Sequence, residues 1–245
     1  MTDWFADESL WEGLYPAMFS EQRMDIAEQE IEQLLQVIEV EGRQALDLCC
    51  GPGRHTVALA RRGFQVTAVD RSSFLLRKAQ ERAQGVAGIE WVQQDMRAFR
   101  REEAFDLVIN LFTSFGYFED PQEDLQVLKN LRASLRLGGT LVMDVMGKEV
   151  LARIRQETMS RELPDSSLLI QRNQVIDDWT RVRNTWTVIR DGRATDHVFT
   201  HWIYSAAELK ARFLEAGFRD IRIFGDFLGS PYGAAANRLV LVAVR

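Results

Sequence analysis

The 245-residue chain reads as one α/β domain: a doubly wound, mostly parallel sheet with an N-terminal helical cap and an inserted three-stranded antiparallel lid. Three observations carry that reading. Short apolar runs alternate with helical patterns between residues 44 and 145, which implies right-handed crossovers between parallel strands. After residue 148 the pattern changes to β-type alternation rich in Val, Ile, Thr and Trp. A capped helix and two more apolar runs then close the chain. With no internal repeat and no Pro-rich linker, a single domain over 1–245 is expected. Its parts are a cap over 1–40, a core over 41–148, a lid over 165–204 and a return to the core sheet over 205–245.

In the cap, Trp4, Phe5, Leu10, Trp11, Leu14, Tyr15 and Phe19 recur at helical spacing. Met24, Ile26, Ala27, Ile31, Leu34, Leu35 and Ile38 predict a longer amphipathic helix, ended by Gly42. Core strands are predicted over 45–49, 65–69, 89–92, 107–110 and 140–145, with helices over 54–62, 72–84 and 121–136. Gly138-Gly139 reads as a stop and turn before the fifth strand. Lid strands are predicted over 167–176, 179–190 and 194–204. Asp177-Asp178 turns between the first two, and Asp191-Gly192 is a type I′ hairpin signal between the last two. Ser205 and Glu208, three apart, form a capping box that opens a helix closed by Gly217. Closing strands are predicted over 218–224 and 238–244.

Composition sets limits on function. Thirty-six acids against 30 bases give a formal charge of -6, and 46% of residues are hydrophobic and 27% charged, a globular balance. A chain this long buries roughly 70–75% of its unfolded surface, enough for a core without staples. The only cysteines, Cys49 and Cys50, are adjacent, so no disulfide framework and no structural zinc set is expected. Asp3, Asp7 and Glu8 stand where a signal peptide needs a basic start. The longest apolar run, Leu239–Val244, is far short of the roughly 20 residues that span a membrane. A soluble, cytoplasmic protein is expected, with no membrane association.

The sharpest motif is Leu46-Asp47-Leu48-Cys49-Cys50-Gly51-Pro52-Gly53, between a strand and a helix. Glycines there let backbone approach a ligand, and the helix N-terminus offers free N–H groups. Asp70 ends the second strand, and Asp95 follows the third within Gln94-Asp95-Met96. A dinucleotide dehydrogenase is the rival for this layout, but its fingerprint wants a third small residue where Thr56 stands, and does not require an acid at Asp47.

Over 45–145, and more loosely beyond, these residues resemble the class I S-adenosylmethionine-dependent methyltransferases. That family's first motif runs roughly acid-x-Gly-x-Gly-x-Gly; Asp47, Gly51 and Gly53 match it, while Cys49 replaces the first glycine. The resemblance implies a Rossmann-like methyltransferase sheet with S-adenosylmethionine as cofactor. It also implies Asp70 on the ribose, Asp95 on the adenine amine and the Met96 backbone beside the ring. Arg71 departs from an apolar preference, although its stem can cover the adenine. Asn110, at the end of the fourth strand, completes the expected cofactor set.

The implied reaction is in-line transfer of a methyl group from a sulfonium to a nitrogen, oxygen or sulfur nucleophile. Alignment alone supplies roughly 7–11 kcal/mol of such a barrier, and aromatic faces hold the cation at about 0.5–2 kcal/mol each. The loop Asn110-Leu111-Phe112-Thr113-Ser114-Phe115-Gly116-Tyr117-Phe118 is not the Asn-Pro-Pro-Tyr type that acts on planar amino groups of DNA bases or glutamine. It resembles that of small-molecule enzymes, with Phe115 and Tyr117 as pocket walls. The catalytic candidates are Tyr15, folding over the cofactor from the cap, and His201, whose near-neutral pKa suits a general base. His197 shares a strand face with His201 and Phe199. His55, at a helix N-terminus, is expected to be neutral. Arg181 and Arg183 share a strand face and are expected to hold a substrate carboxylate or phosphate. Asp177, Asp178, Asp191 and Asp196 offset the lid arginines, which favours a small acceptor over nucleic acid. An RNA- or protein-modifying enzyme and a non-catalytic cofactor-binding module are the alternatives.

Overall fold

The computed structural model describes residues 3–245. The cap consists of a 3-10 turn (Trp4–Ala6) and helices α1 (Glu8–Met18), α2 (Glu21–Asp25) and α3 (Ala27–Val37). The core runs β1 (Gln44–Leu48), α4 (Arg54–Arg61), β2 (Gln65–Asp70), α5 (Ser73–Arg82), β3 (Ile89–Gln93), β4 (Phe105–Asn110), α6 (Pro121–Ser134) and β5 (Leu135–Val145). Helix α7 (Lys148–Ile154) leads into the lid strands β6 (Thr158–Glu162), β7 (Leu168–Ile176), β8 (Arg181–Arg190) and β9 (Arg193–Trp202). Helix α8 (Ala206–Glu215), β10 (Arg219–Phe224) and β11 (Leu239–Val244) return to the core.

The main sheet has the order β10-β11-β5-β4-β1-β2-β3. Strands β1 to β5 are parallel, and β11 and β10 close one edge antiparallel. The strand order reverses between β1 and β4, which makes their carboxyl ends the switch point where such sheets bind ligands. Helices α6 and α8 pack one face through Leu128, Leu131, Leu209 and Phe213, and α3 and α4 pack the other through Ile31, Leu34 and Leu59.

Local chemistry sets the helix starts. Asp7 accepts from Ser9 N to cap α1, Ser72 from Leu75 N to cap α5, and Asp120 from Gln122 N to cap α6, where Pro121 fills the first turn. Both bonds of the Ser205–Glu208 capping box form. The long cap helix predicted over 24–38 is split instead, with α2 ending at Asp25.

Two strand expectations change. Strand β5 starts at Leu135, so Gly138-Gly139 lies inside it. Gly138 takes φ +81° and the pair bonds the chain end, with Arg245 N donating to Gly139 O at 3.0 Å, so the glycines bend a strand instead of preceding it. The lid has four strands, in the order β6-β7-β8-β9. Every residue of β6 is exposed, so no apolar alternation marks it.

Cap and lid form one unit. Leu10, Leu14 and Ala17 of α1 are buried with Leu163, Leu169, Val188 and Phe199 of the lid. Trp4 Nε1 donates to Thr200 O at 2.9 Å, and its ring lies 5.2 Å from that of Phe199. An 11-residue helix is marginal in water, so this packing, at about 1.5–3 kcal/mol per buried leucine, holds α1 in place. Among the described residues no helix is long and apolar enough to cross a membrane, and no group of three or more His, Cys, Asp or Glu could hold a metal ion.

Candidate functional site

The glycine loop turns through three left-handed residues, Cys49 (φ +59°), Gly51 (+55°) and Gly53 (+75°). At Cys49 that conformation costs about 1–2 kcal/mol that glycine would not pay. Two bonds to β2 hold the turn: Cys50 N donates to Val69 O at 3.0 Å and Gly51 N to the Asp70 side chain at Oδ2, 2.8 Å. A Cβ on Gly53 would lie 2.9 Å from the Ala79 Cβ, so only glycine lets α4 start this close to α5. Thr56 Oγ1 donates to the buried Asp47 at 2.5 Å, and burial pushes the Asp47 carboxyl up to about 7. Thr56 therefore ties the first turn of α4 to β1. Burial, followed by the acids around it, raises the Cys49 thiol well above its ordinary value, and Sγ sits 3.5 Å from Met96 Sδ. It is no thiolate nucleophile.

Asp70 is buried at the end of β2. Its Oδ1 accepts from Ser72 N at 2.9 Å and its Oδ2 from Gly51 N, while burial pushes it up to about 6. Glu8 of the cap roofs this corner, accepting from Ser72 Oγ at 2.6 Å and Ser73 N at 2.8 Å. Tyr15 packs on Phe19 and Phe74 at 5.4 and 5.5 Å, and the Phe19 ring faces Gly51.

Asp95 departs from the role its position implies. Oδ2 accepts from Arg71 Nη1 and Arg97 Nη2, both at 2.7 Å, and Oδ1 accepts from Arg97 N at 2.9 Å and Arg97 Nε at 3.0 Å. A carboxylate offers about four lone pairs. All four are taken, leaving none for an adenine amine. Arg97 also reaches Asp3 (2.8 Å) and Glu123 (2.9 Å) and lies over the rings of Phe5 and Phe118. It latches the start of the chain to the core.

Asn110 is fully buried at the switch point. Its Nδ2 donates to Leu48 O at 3.1 Å and Ser114 O at 3.3 Å, and its Oδ1 has no partner. An unpaired buried acceptor beside the glycine loop suits a cationic N–H donor. The ammonium of S-adenosylmethionine is such a donor, and Asp70 suits its ribose hydroxyls, so the residues fit that cofactor.

Beyond Asn110 the loop divides its aromatics. Phe115 is 1% exposed and packs on Tyr204 at 5.8 Å in the core, so it is not the pocket wall expected. Tyr117 is half-buried among Trp4 (4.7 Å), Phe5 (6.1 Å) and His201 (6.4 Å). Burial, and next the neighbouring Cys49, hold its hydroxyl above the ordinary range. His201 Nδ1 lies 3.0 Å from Trp202 O. A carbonyl only accepts, so Nδ1 carries the proton and Nε2 keeps its lone pair. Burial lowers the His201 pKa, which keeps the ring neutral. Tyr15 and His201 have no ring contact with each other among the described residues, so the two catalytic candidates are not brought together.

Arg181 gives both Nη atoms to Glu119, at 3.0 and 2.8 Å, and lies over Trp202. Arg183 is exposed. The expected clamp does not form, because Arg181 is committed to fastening the lid to the Phe118–Glu119 turn. His55 is neutral as expected: burial lowers it to about 4, and its Nε2–H donates to Glu30 at 2.9 Å. The sequence did not single out Arg54 and Arg238. They face the Phe112 ring at 3.5 and 3.9 Å from its centroid, where Asp144 accepts from Phe112 N and Arg238 Nε. Arg54 follows the glycine loop directly and could have been noticed; nothing in the sequence marks Arg238.

Residues 45–139 match the methyltransferase domain family. YqeM of Bacillus subtilis (strain 168), a methyltransferase by name, is 27% identical over 203 residues, covering 81% of this chain and 82% of its own. The CcbJ methyltransferase of Streptomyces caelestis aligns with a TM-score of 0.78 at 20% identity, over 90% of this chain and 89% of that one. S-adenosylmethionine-bound CalS10, an amino pentose methyltransferase from Micromonospora echinaspora, aligns with a TM-score of 0.70 at 21% identity, over 96% of each chain. The structural likenesses bear on the fold; the domain match and the named relative bear on the activity. With the glycine loop and the switch-point residues in place, the methyltransferase domain over residues 45–139 makes the chain an S-adenosylmethionine-dependent methyltransferase.

Proposed function

We propose that the chain methylates a nitrogen, oxygen or sulfur nucleophile on a small molecule, beneath the joined cap and lid, with His201 as general base. The observation that carries this reading is the aromatic enclosure of Trp4, Tyr117, Phe199 and His201, which the cap, the β4 loop and the lid build together. Bound S-adenosylmethionine supplies an electrophilic sulfonium methyl group. Asp70 would hold its ribose and Asn110 Oδ1 its ammonium. Trp4 and Tyr117 keep water out and present ring faces to positive charge. His201 Nε2 takes the proton of an acceptor that arrives protonated. The amino pentose named for CalS10 is an acceptor of this size class.

The test is a metabolite screen with methyl-labelled S-adenosylmethionine. Label in a small molecule is the expected result. Label found only in RNA or protein would refute the acceptor class, and cofactor binding without any transfer would favour a binding module.

A further inference from the structure

Four arginines from separate parts of the chain lie near one another: Arg23 of α2, Arg54 of α4, Arg161 of β6 and Arg238 just before β11. Contacts link them in series. Arg161 Nη2 donates to Ala17 O at 2.7 Å and Arg23 Nη1 to Met18 O at 2.9 Å, adjacent carbonyls at the end of α1. Arg54 Nη1 donates to Arg23 O at 2.6 Å. Arg54 and Arg238 then face the Phe112 ring.

Their charges are not balanced. Glu30 pairs with Arg54, and Asp144 with Arg238. Arg23 and Arg161 bond only main-chain carbonyls and form no ion pair among the described residues. Partial desolvation by the protein atoms around its guanidinium, then the charges of Arg161 and Arg238, hold Arg23 below its ordinary pKa, although the residue remains exposed. Burial lowers Arg54 to about 10; Glu30 opposes this, and Arg238 and Arg23 add to it. Gathering like charges costs free energy unless an anion joins them. Arg23 and Arg161 are exposed, so a ligand can reach their free N–H groups.

Topology says which ligand this serves. Asp70 and the glycine loop occupy the ends of β1 and β2. Phe112, Asp144 and Arg238 lie at the ends of β4, β5 and β11, on the other side of the switch point. The geometry points to an anion subsite, built around Arg161 and Arg23 and backed by Arg54 and Arg238, that receives a carboxylate or phosphate group of the methyl acceptor. This rests on the small-molecule reading above. It moves the anion clamp from the Arg181–Arg183 pair to residues of α2, α4, the segment before β11 and the lid's edge strand. Planar guanidiniums suit both groups, because each offers paired oxygens.

The experiment loads the protein with S-adenosylhomocysteine and titrates inorganic phosphate and, separately, acetate by calorimetry. At least one should bind, and whichever is tighter names the group. Arg161→Gln should weaken that binding roughly tenfold, Arg161→Lys less, and Arg183→Gln not at all. Affinity for S-adenosylmethionine should stay within about threefold in Arg161→Gln. Failure of both anions to bind the wild-type protein would overturn the subsite. An equal loss of cofactor affinity in Arg161→Gln would also overturn it, by assigning the charge to the cofactor. The labelled-methyl screen is read separately. An acceptor lacking any acidic group overturns this subsite and leaves the small-molecule reading intact, whereas label only in macromolecules strikes that reading whatever phosphate does.

Discussion

Asp70→Asn replaces one carboxylate oxygen with an amide and removes one buried charge. In the native protein the two oxygens accept from Gly51 N at 2.8 Å and Ser72 N at 2.9 Å. Burial raises the carboxyl from 3.8 to about 6. Two pH units correspond to roughly 3 kcal/mol, which the fold gives up once Asp70 is ionised. Between pH 3.8 and about 6 the folded chain keeps a proton that the unfolded chain has released. Stability from this group therefore falls as pH rises through that window and is level above it. Asparagine has no such slope, but it accepts from only one of the two N–H groups, and the unpaired one costs about 1–3 kcal/mol. The variant should be the less stable protein at pH 4, and should gain roughly 3 kcal/mol on the native protein by pH 8. Bonds to a charged acceptor are worth about 1.5–3 kcal/mol each. Losing the charge and one acceptor should cost about 2–4 kcal/mol of S-adenosylmethionine binding, a weakening of roughly 30- to 1000-fold. Urea unfolding at the two pH values reads the first quantity and calorimetry the second. Parallel pH dependence in the two proteins, or cofactor affinity within about threefold, would refute the reasoning.

Gly116→Ala places a Cβ 2.8 Å from Trp202 O at φ +90°, where Gly116 O also accepts from Trp202 N. Backbone strain and the forced separation of loop and lid should lower stability by about 2–4 kcal/mol in urea, and an unchanged midpoint would contradict this account. Because burial depresses His201, the acid limb of kcat/KM should fall below the ordinary imidazole range. His201→Gln should lower the rate by roughly 10²–10⁴ and abolish that limb; a rate and profile like the native ones would remove His201 as base. Asp124 is buried, and burial raises it to about 7 against the Tyr204 hydroxyl at 2.7 Å and the Gly116 N–H. The folded chain holds its proton up to that pH, so Asp124→Asn should gain about 4 kcal/mol on the native protein between pH 4 and 8, and equal slopes in urea unfolding would count against it.

Much of the fold was legible because it is written in short-range patterns. Crossover strands announce themselves by apolar runs separated by helical periods, and the Ser205–Glu208 cap by two residues three apart. The glycine loop was legible for the same reason, since left-handed backbone selects residue types locally. Strand β6 was not, because an edge strand with every side chain in solvent has no periodicity to display. Phe115 and Tyr117 look alike in sequence, but one is core and the other packs half-buried among Trp4, Phe5 and His201.

The sheet, the glycine loop and the acids at the strand ends follow from local pattern, since each depends on neighbours a few residues away. The partners those groups take depend on packing between distant segments. Arg71 and Arg97 fill the lone pairs of Asp95, and Glu119 takes both terminal nitrogens of Arg181. Arg161 meets the end of α1, 144 residues away. Such pairings depend on which surfaces the packed core leaves side by side. Charge interactions are screened over roughly 8–10 Å of space and carry no memory of distance along the chain.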